Sequence, residues 1–274
     1  MRSLTLLMLT SCVALAAPIT VKQQPKLARL TFDARLDVPV GLLIGTTGAS
    51  LVALRPWLAT SPCRASCTPE QVNALDASAR ALRWNDVRAA RTTGDIVGYG
   101  LMPAFVATSG LVGLAEGESL GEVAEDTWII AESFAASHVL ESTIKYTTAR
   151  ARPDTTFGSP VPRVDDASDL YTSMVSGHAT ASFAIAVSTG VVATLRGRRS
   201  APYLWASGLS LAVVSSWLRI AADRHYLTDV LAGAALGSLM GVVVPLVFHG
   251  VSAPVTIAPH VSSNGGGLTL SGVL

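Results

Sequence analysis

Three short polar clusters stand at the ends of long apolar stretches. Their members are Lys145 with Arg152 and Pro153, then Ser176-Gly177-His178, and then Arg219, His225 and Asp229. Cations beside apolar segments are costly unless an anion or an acidic partner neutralises them. Arginine presents a planar fork suited to phosphate oxygens, and lysine adds a point charge. The clusters therefore predict a site for a compact, highly charged, phosphate-sized group.

The second cluster lies where an uncharged apolar stretch begins. Ser176 and Gly177 would stand at a helix N-terminus, where free backbone N–H groups and the helix dipole favour an anion. Glycine also lets an anion approach the backbone closely. With Lys145, Arg152 and Arg219, these two residues complete the predicted phosphate-binding set.

The two histidines supply groups for chemistry. His225 and Asp229 are four residues apart, so a helical turn places them on one face. A carboxylate bonded to one ring nitrogen leaves the other free to attack phosphorus, and His178 is available to protonate the leaving oxygen. This phosphohistidine chemistry needs no metal. The sequence shows no carboxylate cluster suited to a two-metal site, so we expect neither a metal ion nor a cofactor.

These motifs resemble the signature of the PAP2 (phosphatidic acid phosphatase type 2) superfamily, which reads K-x6-R-P, then P-S-G-H, then S-R-x5-H-x3-D. The residues that match at the family's spacing are Lys145, Arg152, Pro153, Ser176, Gly177, His178, Arg219, His225 and Asp229. Two positions depart, because Val175 stands where the family has proline and Leu218 where it has serine. Neither departure removes a proposed acid, nucleophile or cation, so we expect activity to survive.

The resemblance covers about residues 94–249 and implies an all-α membrane bundle with its site at one membrane face. It implies that His225 is the nucleophile, Asp229 its orienting partner and His178 the acid for the leaving group. The phosphoryl oxygens would be held by Lys145, Arg152 and Arg219, with help from Ser176 and Gly177. Vanadium haloperoxidases and soluble exported acid phosphatases have similar sites. The charge-free stretches favour a membrane phosphatase that acts on a lipid phosphate or pyrophosphate.

The composition agrees with helices in a membrane. Half of the 274 residues are apolar, only 14% are charged, and the mean hydropathy is +0.45. A net charge of +1 without a basic block excludes nucleic acid as a partner. Five to six spans are predicted, since each window approaches the ~20 residues that cross a bilayer. They are 94–115, 175–195, 201–218 and 230–248, an amphipathic segment 120–149, and a weaker segment 38–58.

The loop charges predict an orientation. Arg196, Arg198 and Arg199 lie between two spans, which favours a cytoplasmic loop. Counting spans outward places loops 150–175 and 219–229 in the periplasm of a bacterial inner membrane; the alternative is a soluble periplasmic or secreted protein. The count agrees with a chain that starts inside and spans at 38–58, or with a cleaved signal and no span at 38–58, but not with a cleaved signal and a span at 38–58. Cys63 and Cys67 fall on the same side as those loops. Their spacing would place the Cα atoms about 6 Å apart on a helical turn, which predicts a disulfide rather than two free thiols.

The expected organisation has four parts. Residues 1–17 resemble a secretory signal cut after Ala16 or Ala17, with a retained anchor helix or a lipoprotein signal at Cys12 as alternatives. Residues 18–93 form an N-terminal segment, and 94–249 form the helical phosphatase domain. The tail, 250–274, has an alternating pattern that predicts a short hairpin. Within 68–91, a capping-box start at Thr68 predicts an amphipathic helix, either on the membrane surface or packed outside it.

Neighbours of the motifs carry further expectations. Glu141 precedes Lys145 by one helical turn and is placed to pair with it. Arg150 and Arg224 are predicted to meet lipid headgroups or solvent. The 22 residues between Pro153 and Ser176 form either a lid over the site or a plain connection.

Overall fold

The computed structural model describes residues 30–60, 62–158 and 167–250, together with the backbone of strands at 256–262 and 265–271. The predicted signal at 1–17 lies outside the described residues.

The chain is a bundle of long helices. The α-helices are α1 Ala34–Ala53, α2 Arg55–Leu58, α3 Ala74–Ala79, α4 Val87–Asp95, α5 Met102–Ala115, α6 Leu120–Thr148, α7 Pro153–Thr156, α8 Gly177–Leu195, α9 Ala201–Ala221 and α10 Leu227–Val243. A π-helix at Ile96–Leu101 joins α4 to α5, and another at Val244–Phe248 extends α10. Short 3₁₀ turns occupy Pro69–Gln71, Arg80–Leu82 and Ala167–Asp169.

Five helices among the described residues are long and apolar enough to cross a membrane. They are Ala34–Ala53, Val87–Ala115, Gly177–Leu195, Ala201–Ala221 and Leu227–Phe248. The weaker sequence segment 38–58 is represented among them by α1. The amphipathic segment 120–149 is the long helix α6, whose many acidic residues keep it out of this group. The prediction of an all-α membrane bundle with five to six spans is thus confirmed. The expected domain start at residue 94 falls inside the continuous Val87–Ala115 helix.

Helices α8 and α10 cross at very short range. A Cβ at Gly237 would clash with the Thr180 carbonyl oxygen and lie 2.9 Å from the Ala184 amide nitrogen. One turn to either side, a Cβ at Gly233 would lie 2.7 Å from the Ser176 carbonyl oxygen and one at Gly241 would lie 2.9 Å from the Ala184 carbonyl oxygen. Because α8 begins beside His178 and α10 begins beside Asp229, this crossing sets the distance between two of the sequence motifs.

The bundle has two chemically distinct ends. At one end, Asp126 accepts hydrogen bonds from Arg196 Nε at 2.8 Å and Arg198 Nη2 at 2.6 Å. At the other end, the Trp84 amide donates to the Ala221 carbonyl at 3.0 Å and the Arg64 amide to the Ala149 carbonyl at 3.0 Å. The loop that follows α8 and the loops that carry the three sequence motifs therefore lie at opposite ends of the bundle.

The amphipathic helix predicted over residues 68–91 is wrong. This stretch is a series of short turns and helices, because Asn73 and Asp86 each begin a new helix by accepting a backbone N–H three residues later. Thr68 makes no side-chain capping hydrogen bond. The segment packs on the bundle end, where Arg80 forms two hydrogen bonds to Asp223, at 2.9 and 2.8 Å.

Cys63 and Cys67 form a disulfide with their Cα atoms 5.8 Å apart. They lie in a loop, not on the helical turn that the spacing suggested, because Ala65 between them forms a parallel β-bridge with Arg150. The C-terminal strands Thr256–Ser262 and Gly265–Ser271 pair antiparallel, in agreement with the predicted hairpin.

Candidate active site

A cavity of about 710 Å³ opens at the bundle end where the motif loops meet. Six of the eight predicted catalytic and phosphate-binding residues line it: Lys145, Arg152, Gly177, His178, Arg219 and His225. Ser176 and Asp229 lie behind this wall, and both are fully buried. The structure therefore brings all three sequence clusters to one place.

His225 is held in one tautomer by its neighbours. Its Nδ1 lies 2.7 Å from the Ser173 carbonyl oxygen, which can only accept, so Nδ1 carries the proton. Its Nε2 keeps a lone pair and lies 3.0 Å from Arg152 Nη1, which donates to it. Burial and the nearby Arg152 and Arg219 cations hold the pKa of His225 well below its ordinary value. The result is a neutral imidazole whose free nitrogen faces a cation.

The four-residue spacing suggested a direct hydrogen bond between Asp229 and His225, but the structure shows none. Asp229 Oδ2 lies 3.8 Å from His225 Nδ1 and instead accepts from Ser173 Oγ at 2.6 Å and the Tyr226 amide at 2.9 Å. Its Oδ1 accepts from Arg150 Nη1 at 2.6 Å. Nearer donors occupy both oxygens, so Asp229 is linked to His225 through the hydroxyl and carbonyl groups of Ser173.

The expectation that Arg150 meets headgroups or solvent is wrong. Arg150 is buried, and besides Asp229 it donates to Asp76 Oδ2 at 2.7 Å and Ser66 Oγ at 3.0 Å. Its guanidinium carbon also lies 4.2 Å from the centroid of the Tyr226 ring. Sequence reasoning missed Asp76 and Ser66, because nothing local marks either as a partner of a residue more than 70 positions away.

Asp169 also lines the cavity and contacts three arginine side chains. Its Oδ1 accepts from Arg152 Nη2 at 2.8 Å and Arg55 Nη1 at 3.2 Å, and its Oδ2 pairs with Arg224. Burial opposes ionisation of this carboxyl, but Arg152 and Arg224 outweigh it and hold the pKa of Asp169 well below its usual range. Sequence reasoning did not single out Asp169.

The prediction that Arg224 meets headgroups or solvent is also wrong, because Arg224 is buried. It pairs with Asp154 Oδ2 at 3.0 Å as well as with Asp169. Asp169 belongs to the connection between Pro153 and Ser176, whose described part thus forms a wall of the site. Residues 159–166 of that connection lie outside the described residues.

A third group surrounds His178. Its Nε2 lies 3.0 Å from Asp95 Oδ1, and the same oxygen accepts from Arg219 Nη1 at 3.2 Å. Two buried polar atoms here, Arg219 Nε and Ser176 Oγ, have no hydrogen-bond partner within the part of the chain that the structure describes. Such donors beside cations suit an anion with several oxygens.

Lys145 forms the ion pair with Glu141 that the helical spacing predicted. Glu141 is buried, and its second oxygen lies 3.2 Å from His138 Nδ1. A Cβ at Gly177 would lie 2.7 Å from Glu141 Oε1 and 3.1 Å from Lys145 Nζ. A side chain where α8 begins would therefore have to displace this pair, which glycine leaves in place.

The two departures from the family signature occupy buried positions. Val175 is 3% exposed and follows a cis peptide bond from Met174. Leu218 is 1% exposed and packs against Gly94 of α4. Neither side chain displaces a residue that lines the cavity.

Comparison with known proteins agrees with these motifs. Residues 126–252 match the family model of the PAP2 superfamily, so the family resemblance is confirmed over a range that holds all three motifs. One solved structure similar to this chain is the crystal structure of the first transmembrane PAP2 type phosphatidylglycerolphosphate phosphatase from Bacillus subtilis. The two are 17% identical, with a TM-score of 0.47 over 72% of this chain and 94% of that chain. No curated protein sequence matches. Asp76 and Asp95 lie outside the family match.

Proposed function

We propose that this protein is a membrane phosphatase that hydrolyses a phosphomonoester or pyrophosphate, carried by a lipid, through a phosphohistidine at the periplasmic face. The observation that supports this most directly is the state of His225. Its lone-pair nitrogen Nε2 faces Arg152 at 3.0 Å in a cavity that Lys145, Arg219 and His178 also line. A neutral imidazole among cations is suited to attack a phosphoryl group whose oxygens those cations hold.

In the first step, the phosphoryl oxygens bind Lys145, Arg152 and Arg219, and Nε2 of His225 attacks phosphorus. The bond between phosphorus and the leaving oxygen breaks, and that oxygen takes a proton from His178. The positive charge that develops on the His225 ring is stabilised at Nδ1–H by the Ser173 carbonyl. Asp229 holds Ser173 in place through its hydroxyl, 2.6 Å away.

In the second step, water attacks phosphorus and gives a proton to His178. The bond between phosphorus and Nε2 breaks, and its electron pair returns to the His225 ring. Inorganic phosphate leaves, and both histidines are restored to their starting protonation states. Side chains and one backbone carbonyl of this chain supply every protein group in these steps, and we propose that no metal ion takes part.

The cavity wall supports a lipid as the carrier of the phosphate. Beyond the cations, the cavity is lined by Val106 of α5, Ile130 and Phe134 of α6, and Ile185 of α8. An apolar pocket continuous with a few convergent polar groups fits a ligand with a charged head and an apolar chain. This juxtaposition favours a lipid phosphate over a small soluble ester.

The decisive experiment is phosphate release by the purified protein in detergent. Phosphatidate, phosphatidylglycerol phosphate, an isoprenoid pyrophosphate and a lipid A phosphate would be offered with a metal chelator present. We expect turnover of at least one, inhibition by vanadate, and a loss of at least about 1,000-fold in the His225→Ala variant. The His260→Ala variant, altered on the C-terminal strand, is the matched control and should keep wild-type turnover.

Two results would contradict the proposal. Full activity in His225→Ala would exclude a phosphohistidine on this residue, and loss of all activity with the chelator would exclude a metal-independent reaction. Rapid quenching with radiolabelled substrate adds a direct readout. Acid-labile phosphate should appear on the wild-type protein and be absent from the variant.

A further inference from the structure

Asp95 occupies a distinctive position in the cavity wall. It is the last residue of α4, immediately before the Ile96–Leu101 π-helix. Its Oδ1 accepts from two site residues that belong to different helices, His178 Nε2 at 3.0 Å and Arg219 Nη1 at 3.2 Å. The side chain is 41% exposed on the cavity side, so its carboxylate is open to the space that substrate would enter.

We propose that Asp95 is a positioning residue for the leaving-group acid. The inference rests on the proposed function and adds a residue to it. Asp95 fixes the orientation of the His178 ring, because Nε2–H donates to its carboxylate. Nδ1 is then the nitrogen that delivers the proton to the leaving oxygen.

The hydrogen-bonding chemistry supports this assignment of the ring nitrogens. An ionised carboxylate can only accept, so the proton between the two groups resides on Nε2. When His178 is protonated, Nδ1–H is the proton that the ring can give up, and the leaving oxygen receives it as its bond to phosphorus breaks. The water proton of the second step returns to the same Nδ1. Asp95 itself stays ionised throughout.

Charge balance gives Asp95 a second effect on His178. Arg219 faces the imidazole from α9 and Lys145 from α6, the latter already paired with Glu141. These cations disfavour a protonated ring, and Asp95 is the carboxylate in direct contact with it. Removing the carboxylate would therefore leave the acid both misoriented and less protonated, while Arg219 would gain freedom to hold phosphate.

Two residues that follow Asp95 in the chain also contact the His178 ring. A Cβ at Gly98 would lie 2.8 Å from His178 Cδ2 and 3.4 Å from its Nε2. The Tyr99 ring meets the imidazole edge-on with the ring centroids 4.8 Å apart. A one-turn π-helix is a frequent feature of functional sites, and here it presents a bare glycine to the ring.

The test compares two esters that differ in their need for an acid. Decyl phosphate must release an alkoxide, which requires a proton, whereas 4-nitrophenyl phosphate releases a stable phenolate. For Asp95→Asn we expect kcat/KM to fall about 100-fold on decyl phosphate and to stay within about threefold on 4-nitrophenyl phosphate. Inhibition by inorganic phosphate should not weaken, because the phosphate cradle is intact.

Asp86→Asn is the matched control, since Asp86 caps the start of the same helix and asparagine caps equally well. It should leave both esters unaffected. Gly98→Ala is the second variant, because its methyl group would push His178 off Asp95 while keeping the carboxylate. It should reproduce the selective loss on decyl phosphate even if Asp95→Asn does not fold.

Equal losses on both esters, or no loss on decyl phosphate in either variant, would overturn the role of Asp95 and leave the phosphatase proposal intact. Turnover of neither ester by the wild-type protein, together with no turnover of the lipid phosphates, would overturn both. Weaker inhibition by phosphate in Asp95→Asn would show that Asp95 builds the binding site instead of positioning the acid.

Discussion

The two site histidines have different hydrogen-bond partners. His225 is enclosed by Arg152 and a backbone carbonyl, whereas His178 contacts the carboxylate of Asp95. The lone pair of His225 Nε2 accepts a hydrogen bond from a cation, whereas His178 Nε2 donates to a carboxylate that can only accept. The different partners therefore separate a candidate nucleophile from a candidate acid, although the two side chains are chemically identical.

The ion pairs of Asp169 predict how the stability of the fold changes as the pH falls. Its pKa is depressed in the folded protein, so its ion pairs stabilise the fold above the ordinary carboxyl pKa of about 3.9 and lose that effect as pH falls below it. At pH 7 the Asp169→Asn variant should unfold at a lower temperature than wild type. That difference should shrink as the pH falls from about 5 towards 3. Thermal unfolding in detergent across this range measures it.

Thr172→Val is the control for this experiment. Thr172 Oγ1 donates to Asp169 Oδ1 at 3.0 Å, so the variant loses a hydrogen bond but keeps the carboxylate. Its offset from wild type should change little with pH. A difference between Asp169→Asn and wild type that is constant down to the lowest pH would contradict the assignment.

At the level of elements, the crossing of α8 with α10 sets the geometry of the site. Gly233, Gly237 and Gly241 form one face of α10, and each lies against α8 backbone or side-chain atoms. Backbones that approach this closely carry the start of α8, with His178, and the start of α10, with Asp229, to the same cavity. The α4 helix then adds Asp95 from outside the family match.

Gly237→Ala should test this crossing. The added methyl group would meet the Thr180 carbonyl and lie 2.9 Å from the Ala184 amide nitrogen, so the helices must separate. We expect a loss of about 1–3 kcal/mol in the free energy of unfolding, with a matching loss of phosphatase activity. Chemical unfolding in detergent and phosphate release measure the two effects.

Gly45→Ala on α1 is the matched control. A Cβ at Gly45 has no atom within 4 Å, so the substitution adds helix propensity without a clash. It should leave activity unchanged and stability equal or slightly higher. Equal destabilisation by both substitutions would show that the close crossing is not the cause.

For the whole molecule, the segment that precedes α4 closes the site end of the bundle. The disulfide loop bridges to Arg150, Asp76 pairs with the same guanidinium, and Arg80 bonds to Asp223. The opposite end is closed by the pairing of Arg196 and Arg198 with acidic residues of α6 and its preceding loop. Among the described residues, one end of the bundle thus carries the cavity and the other carries the ion pairs of Arg196 and Arg198.

The proposed orientation predicts which end a membrane-impermeant maleimide reaches. Ser78, exposed at the site end, should be labelled as Ser78→Cys in cells with a permeabilised outer membrane. Leu120, 76% exposed at the start of α6, should be labelled as Leu120→Cys only after the inner membrane is opened. The reverse pattern would place the site in the cytoplasm. The wild-type protein, with its cysteines 63 and 67 joined, is the background control.

The amino-acid sequence alone determined the motif residues and the long helices. Both are local properties. An apolar stretch of sufficient length predicts a span, and the charged residues at the ends of such stretches identify the motifs. The same reasoning failed over residues 68–91, where caps at Asn73 and Asp86 divide a pattern that has helical spacing. It also treated Arg150 and Arg224 as peripheral, because their charge alone does not show that they are buried.

Only the tertiary structure decided which partners hold the site together. Arg150 meets Asp76 across 74 positions and His178 meets Asp95 across 83, and Ser173, not Asp229, contacts the ring of His225. Hydrogen-bond partners at such separations depend on which helix faces meet and at what distance. That distance is set here by glycine contacts between helices, and the glycine spacing within α10 does not show which helix those glycines meet.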